Sequence, residues 1–259
     1  MNADFKIGGK GKDIEITGDS RFENTEIYKI PVGSASTSFS YINKEFSFKK
    51  AMVKQGSSVI TAEGRVSSDD KFSFRVSSDK ILFKDFGLKK APENAFISSH
   101  SEGQGTFQDP AITLNGKVYG GIFQGKSLGN GTIYMEIKNR DISLKTSLFD
   151  ENVNLTGKGN LSDPFPWTAE LKIKPGRYDF LLGLFVKEVP EELLFNLSSH
   201  VVMRGDKENI SASANIDHLS VVLFGYTFSS ESNVTVQIDN RRLSLPAFTL
   251  RSGDTSFVK

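Results

Sequence analysis

The stretch Gly105-Thr106-Phe107-Gln108-Asp109-Pro110 recurs as Gly159-Asn160-Leu161-Ser162-Asp163-Pro164, and Gly64-Arg65-Val66-Ser67-Ser68-Asp69 is a looser copy without the proline. Each copy starts in or just before a run of alternating apolar residues and ends at an aspartate that marks a turn. A unit of this kind, repeated along a chain, predicts a sheet that grows by adding one strand after another. It does not predict a compact enzyme wrapped around a pocket.

Alternation of apolar and polar residues continues through most of the chain. Clear examples are Phe46–Phe48, Phe72–Phe74–Val76, Ile133–Met135–Ile137, Leu171–Ile173 and Val234–Val236–Ile238. Period two with a polar second face is typical of strands that are buried on one side only, as in antiparallel sheets. Short polar turns such as residues 138–141 join these runs and favour hairpins. The sequence therefore predicts an all-β, predominantly antiparallel fold of about 18 strands.

One segment departs from the alternation. Between Arg177 and Leu197 the apolar residues fall at spacings of one, three and four, which predicts a short amphipathic helix near residues 177–195. Residues 89–94 are the best candidate for a boundary between sheet segments. We therefore expect three β-repeat segments within one continuous sheet: residues 1–90, residues 91–176, and residues 177–259 with the helix.

Composition narrows the classes of function. The chain has 259 residues with 32 Lys and Arg against 31 Asp and Glu, so its net charge is +1. This balance gives no electrostatic reason to expect a nucleic-acid partner, because such proteins usually carry a basic face. Cysteine is absent, which excludes disulfides, thiolate nucleophiles and cysteine-based metal sites.

A search for catalytic chemistry finds no convincing arrangement of residues. The three histidines, His100, His200 and His218, lack the spacing of a zinc site, and no G-x-S-x-G elbow is present. The G-x-G pairs, such as Gly103 with Gly105, lie between strands. They therefore indicate bulges, turns or close approach within a sheet rather than a phosphate loop. We expect a protein that is not an enzyme, with no catalytic residues, no metal and no cofactor.

Four stretches give the chain a resemblance to a known family. Residues 102–116, EGQGTFQDPAITLNG, resemble the recurring strand pair of the TamB/AsmA-like family of bacterial envelope proteins, and residues 155–164 are similar. Residues 216–226 and 243–255 resemble the late-repeat strands that follow a short helix in that family. The likeness covers most of the chain, as a style of repeat.

This resemblance to the translocation and assembly module proteins implies a long sheet curled into an open, taco-like trough with an apolar inside. It implies a periplasmic location in a Gram-negative bacterium, with an inner-membrane anchor in the full-length family. It further implies that the trough carries phospholipid acyl chains between the inner and outer membranes, or assists outer-membrane protein assembly with a partner of the TamA type. The candidate groove-lining residues are Phe46, Phe48, Phe72, Phe74, Ile112, Leu114, Ile133, Met135, Ile137, Leu171 and Ile173.

The chain departs from the family in two ways. The family carries an N-terminal membrane helix that this sequence lacks, and its strand pattern continues where this chain stops, so the sequence suggests an internal portion of a longer protein. The alternative interpretation is a structural or adhesive β-solenoid or sandwich with a closed core. In that case the same apolar side chains would pack against one another and leave no groove.

Overall fold

Strands dominate the structure, a computed structural model that describes residues 2–10, 13–27, 30–86, 92–123, 125–179, 192–240, 242–253 and 255–258. Nineteen strands belong to one large antiparallel sheet that is not closed, and two short strands form a separate pair. This confirms the predicted all-β, open antiparallel sheet. The described strands number 21, slightly more than the sequence predicts, because several short strands follow the longer ones.

In chain order the strands are β1 (Asn2–Lys10), β2 (Asp13–Ile27), β3 (Ile30–Ile42), β4 (Glu45–Gln55), β5 (Ser58–Ser67), β6 (Lys71–Leu82), β7 (Phe96–Thr106), β8 (Pro110–Tyr119), β9 (Ile122–Phe123), β10 (Lys126–Ser127) and β11 (Asn130–Lys138). They continue as β12 (Asp141–Leu148), β13 (Val153–Asn160), β14 (Trp167–Arg177), β15 (Leu194–Gly205), β16 (Ile210–Leu223), β17 (Tyr226–Ser230), β18 (Val234–Asp239), β19 (Arg242–Ser244), β20 (Leu250–Ser252) and β21 (Thr255–Val258). A 3₁₀ turn, Phe83–Phe86, follows β6.

The chain divides into two compact units. Unit 1 comprises Met1–Ile122 with Thr132–Arg140, and unit 2 comprises Phe123–Gly131 with Asp141–Lys259. The three segments expected from sequence stay a prediction, because residues 87–91 and 180–191, which lie at their limits, are outside the described residues. The same holds for the amphipathic helix near residues 177–195, most of which falls in residues 180–191.

Unit 1 is a meander in which each strand from β1 to β8 pairs antiparallel with the next. In unit 2 the strands β12 to β16 pair in the same serial way. The long strand β16 then pairs with β18 along its first half and with β17 at its end. Serial pairing of this kind is what the repeated turn unit predicts.

The repeated sequence units are the hairpin turns of these meanders. In the first copy Gly105 pairs with Pro110, and the turn between them is closed by bonds from the Thr106 and Asp109 amides. The second copy connects β13 to β14, where the Asn160 amide bonds the Pro166 carbonyl at 3.0 Å. The third connects β5 to β6. Each copy therefore reverses the chain so that the next strand joins the sheet.

The sheet has little conventional core among the described residues. Only six of the apolar side chains whose burial is described are buried: Val32, Leu82, Ala95, Pro110, Tyr178 and Val234. The largest side chain that is less than 2% exposed is a serine, Ser58. The strands in extensive contact are those joined by hydrogen bonds. Most described apolar side chains are half-buried or exposed rather than enclosed, which argues against a sealed sandwich.

Candidate apolar binding face

One row of side chains crosses all eight strands of the unit 1 meander. Residues directly opposite each other in antiparallel strands project from the same face, so the register defines the row. Its members, here called the Phe–Gly row, are Phe5, Gly18, Phe39, Phe48, Gly64, Phe74, Gly103 and Ile112. Large aromatic side chains are thus interleaved with glycines.

The phenylalanine rings of this row lie over the glycines beside them. A Cβ atom built on Gly64 would stand 2.8 Å from Cζ of Phe48, and one built on Gly103 would stand 2.7 Å from Cζ of Phe74. On Gly18 the corresponding distance to Cζ of Phe39 is 3.0 Å. The glycines are therefore required for close approach, as the G-x-G pairs indicate for Gly103. Each ring covers bare backbone, which shields strand hydrogen bonds from water.

Two further rows extend the same face of unit 1. The first consists of Ile7, Ile16, Tyr41, Phe46, Val66, Phe72, Gly105 and Pro110, and the second of Ala51, Ala62, Val76, Ser101 and Leu114. Rings in adjacent rows stack, with centroids 6.2 Å apart for Phe39 and Phe46 and 6.0 Å apart for Phe72 and Phe74. None of the side chains in the three rows is charged. We call them together the unit 1 apolar face.

Unit 2 repeats this arrangement on one face of its own sheet. Its rows are Ile142–Gly159–Trp167–Gly205–Ile210, Leu144–Gly157–Ala169–Met203–Ala212–Ile238–Leu243, Thr146–Leu155–Leu171–Val201–Ala214–Val236 and Leu148–Val153–Ile173–Ser199–Ile216–Val234. Trp167 takes the place of a phenylalanine, since a Cβ on Gly205 would stand 2.7 Å from its Cζ2 atom. We call these rows the unit 2 apolar face.

The candidate groove-lining residues fall on these two faces. Phe46, Phe48, Phe72, Phe74, Ile112 and Leu114 belong to the unit 1 apolar face, and Leu171 and Ile173 belong to that of unit 2. Ile133 joins the unit 1 face, because a Cβ built on Gly116 would stand 3.7 Å from its Cβ. Met135 and Ile137 follow it at period two. All are half-buried except Phe46, which is 42% exposed.

Several members of these faces are not among the sequence candidates. Phe5, Phe39 and Trp167 lie in the rows beside the predicted residues. Phe39 alternates with Tyr41, and Trp167 begins the alternating run Trp167–Ala169–Leu171–Ile173, so the period-two signal could have included both residues. The glycines were identified as sites of close approach, but their aromatic partners come from other strands. Only the strand register could have identified those pairs.

The opposite face of unit 1 is polar and carries a cavity of about 540 Å³. Its charged lining residues are Glu45, Lys49, Glu63, Arg65, Arg75 and Glu102. Arg75 Nη1 lies 3.0 Å from Glu63 Oε1, and Arg65 Nη1 lies 3.9 Å from Glu45 Oε2. Phe48, Gly64, Phe74 and Gly103 of the Phe–Gly row also line this cavity, which therefore spans β4 to β7.

Asp85 anchors the edge of unit 1 near the 3₁₀ turn. Its Oδ2 atom accepts bonds from the Ser57 amide at 3.0 Å, the Ser58 amide at 3.1 Å and the Ser58 hydroxyl at 2.8 Å. Burial raises the pKa of Asp85, but these hydrogen bonds outweigh it and hold the pKa below its usual value. The carboxylate is thus a structural cap for the turn between β4 and β5.

A small charged cluster occupies the polar face of unit 2. Glu170 Oε1 lies 2.9 Å from Lys172 Nζ and 2.7 Å from His200 Nε2. The hydrogen bonds from Lys172 and then from His200 lower the pKa of Glu170. All three side chains are substantially exposed, so the cluster is a surface ion-pair network. Across the described ranges, no three His, Cys, Asp or Glu residues come together as possible metal ligands.

Comparisons with known proteins give no relatives. No family model, no curated protein and no solved structure matches this chain. In the part of the chain that the structure describes, no helix has the length and apolar character that crossing a bilayer requires.

Proposed function

We propose that this chain is a non-enzymatic scaffold whose apolar sheet faces carry phospholipid acyl chains between the inner and outer membranes of a Gram-negative bacterium. The observation that carries the proposal is the unit 1 apolar face. It presents three uncharged rows across successive strands, and on these rows Phe5, Ile7 and Phe46 are 60%, 67% and 42% exposed. The TamB/AsmA-like resemblance supplies the periplasmic setting and the class of cargo.

The exposed side chains of the unit 1 apolar face favour the binding of an apolar ligand. Soluble proteins rarely leave continuous apolar patches exposed unless they bind something. Neighbouring strands lie about 4.8 Å apart, so eight strands extend the Phe–Gly row over roughly 34 Å. Exposing an acyl chain to water costs about 0.8 kcal/mol per methylene, or roughly 12 kcal/mol for a chain of 16 carbons. Contact along such a row offsets much of that cost without any chemical step.

The character of the face fits acyl chains better than a protein partner. Rings that lie over glycines give a surface of low relief, and the rows offer no charged group to pair with a partner's side chains. Acyl chains need neither pockets nor pairing, because dispersion and exclusion of water provide the attraction. Residues on the opposite face, such as Arg65 and Glu63, keep that side solvated.

Two neighbouring residues of β6 test the proposal. Val76 lies on the unit 1 apolar face, opposite Ala62 and Ser101, whereas Ser77 lies on the polar face opposite Thr61 and His100. We expect purified wild-type protein and Ser77→Lys to carry phospholipid detectable by native mass spectrometry, and Val76→Lys to carry much less. Circular dichroism and urea unfolding of both variants verify that the sheet is intact.

Two results would contradict this function. One is wild-type protein that binds no phospholipid, either as purified or after incubation with lipid in mild detergent. The other is equal lipid loss in Val76→Lys and Ser77→Lys when both are folded. A stable dimer that buries the face, seen by light scattering, would assign the surface to a second copy of the chain instead.

A further inference from the structure

The hairpin between β16 and β17 has an unusual tip. Leu223 pairs with Tyr226 across a two-residue turn made by Phe224 and Gly225. Both turn residues have positive φ, 50° and 81°, as a type I′ turn requires. Asparagine normally fills the first position of such turns, and it does so here at Asn43 and Asn240. A bulky phenylalanine in this conformation is strained, and Phe149 and Phe165 also have positive φ in this chain.

The tip carries no charged side chain; one face is apolar, and the other combines Val222 with Thr227 and two serines. Phe224 and Tyr226 are each 67% exposed. Behind them Val221 pairs with Phe228 and Val222 pairs with Thr227, and successive side chains project from opposite faces. Residues 219–230, LSVVLFGYTFSS, contain no charged side chain. The strands of unit 1 differ, because their second face is polar and charged.

We propose that this hairpin tip inserts into the interface of a phospholipid bilayer. A bilayer interface contacts the turn and both faces of the hairpin together, because acyl chains meet its apolar side chains while hydrated headgroups meet its hydroxyl groups. Phenylalanine and tyrosine suit that boundary, since aromatic side chains concentrate where acyl chains meet headgroups. The inference rests on the tip alone and holds whether or not the apolar faces carry lipid.

The chemistry of the tip also sets its lipid preference. Peripheral proteins that use lysine and arginine require anionic lipids and are released by salt. Residues 219–230 carry no such charge, so insertion is expected to be equally strong on neutral phosphatidylcholine vesicles and on vesicles with one third phosphatidylglycerol. Raising the salt concentration from 0.1 to 0.5 M is expected to leave binding unchanged or slightly stronger, as the apolar contribution predicts.

Flotation of the full chain with phosphatidylcholine vesicles tests the inference. Phe224→Asn creates an Asn-Gly turn, which suits type I′ geometry, so this variant is expected to fold at least as well as wild type. Losing a buried phenylalanine is expected to lower the partition coefficient roughly tenfold to a hundredfold. Phe224→Trp is expected to retain binding. The matched control is Phe165→Asn, which replaces another turn phenylalanine of positive φ that is 44% exposed and lies outside both apolar faces, with no expected change.

The outcomes separate cleanly. Loss of flotation in Phe224→Asn, with an unchanged or raised urea midpoint and intact Phe165→Asn binding, supports bilayer insertion. Wild-type protein that does not float with neutral vesicles overturns it, as does equal flotation of Phe224→Asn. A dimer that forms through the tip and is lost in Phe224→Asn also overturns it. Lipid uptake in the Val76→Lys experiment is a separate measurement, so the failure of one proposal does not affect the test of the other.

Discussion

Alanine substitutions at three glycines measure whether the rings of the Phe–Gly row are free to move. At Gly103 an added Cβ would meet the Phe74 ring, 2.7 Å from Cζ, and Ile112 Cγ1 at 3.0 Å. At Gly157 it would make only ordinary contacts, 3.6 Å from Leu144 Cβ and from the Thr168 carbonyl. At Gly105 it would meet the backbone carbonyl of Asp109 at 2.5 Å, in a conformation with φ of 120°.

The expected costs follow from what must move in each case. Gly157→Ala is expected to stabilise the protein by about 0.4–1 kcal/mol, because alanine restricts the unfolded chain. Gly103→Ala is expected to cost only about 0.5–1.5 kcal/mol, since Phe74 can rotate away on an open face and loses one contact. Gly105→Ala is expected to cost about 2 kcal/mol or more, because neither the positive φ nor the carbonyl can relax cheaply.

Urea unfolding followed by circular dichroism provides the assay. With a slope of about 2 kcal/mol per molar, each 1 kcal/mol shifts the midpoint by about 0.5 M. The order of stability is expected to be Gly157→Ala, wild type, Gly103→Ala, Gly105→Ala. If Gly103→Ala cost about 3 kcal/mol or more, the Phe74 ring would have no space to move. The face would then be covered, and both the open sheet and the lipid proposal would fail.

Two further changes test the polar anchors. Asp85→Asn is expected to cost about 1–2 kcal/mol of folding stability, because the Ser57 and Ser58 donors lose a charged acceptor. Since the pKa of Asp85 is lowered, this contribution is present above about pH 4 and fades as the pH falls below that value. The variant is therefore expected to lose less stability than wild type on acidification, as urea unfolding at several pH values would measure. Tyr178→Phe is expected to cost about 1 kcal/mol through loss of the 2.7 Å bond to the Lys174 carbonyl. Burial raises the pKa of Tyr178, so the wild type is expected to lose the stability contributed by this side chain above about pH 10. The Tyr178→Phe variant lacks that loss, and thermal melts at several pH values would measure the difference.

The alternation of apolar and polar residues is sufficient to predict the strands, but it does not predict which residues pair across them. Phe72, Phe74 and Val76 share a face exactly as period two requires. That Phe74 lies over Gly103 could not be read from the sequence, because the two residues are joined only by the register of β6 against β7. Register depends on hairpin lengths and bulges, which local patterns do not specify.

Bulges also reverse the phase of the pattern. Phe48 and Ala51 lie on the same face although they are three positions apart, because an extra residue near Lys50, with φ of 52°, shifts the register. Strict period two would place Ala51 on the polar face. The position of the polar cavity beside Arg65 and Arg75 was missed for a related reason, since concavity arises from twist and bulges rather than from residue type.

The interleaving of rings and glycines makes the meander tolerant of changes in its own length. Phe48, Gly64, Phe74 and Gly103 follow one another across β4 to β7. Excising the β5–β6 hairpin would bring Phe48 beside Gly103, with strand polarity preserved and the same ring-on-backbone packing restored. Duplicating that hairpin would likewise add one more such pair. A lineage could therefore lengthen or shorten this protein by whole hairpins while keeping the same packing of rings on backbone.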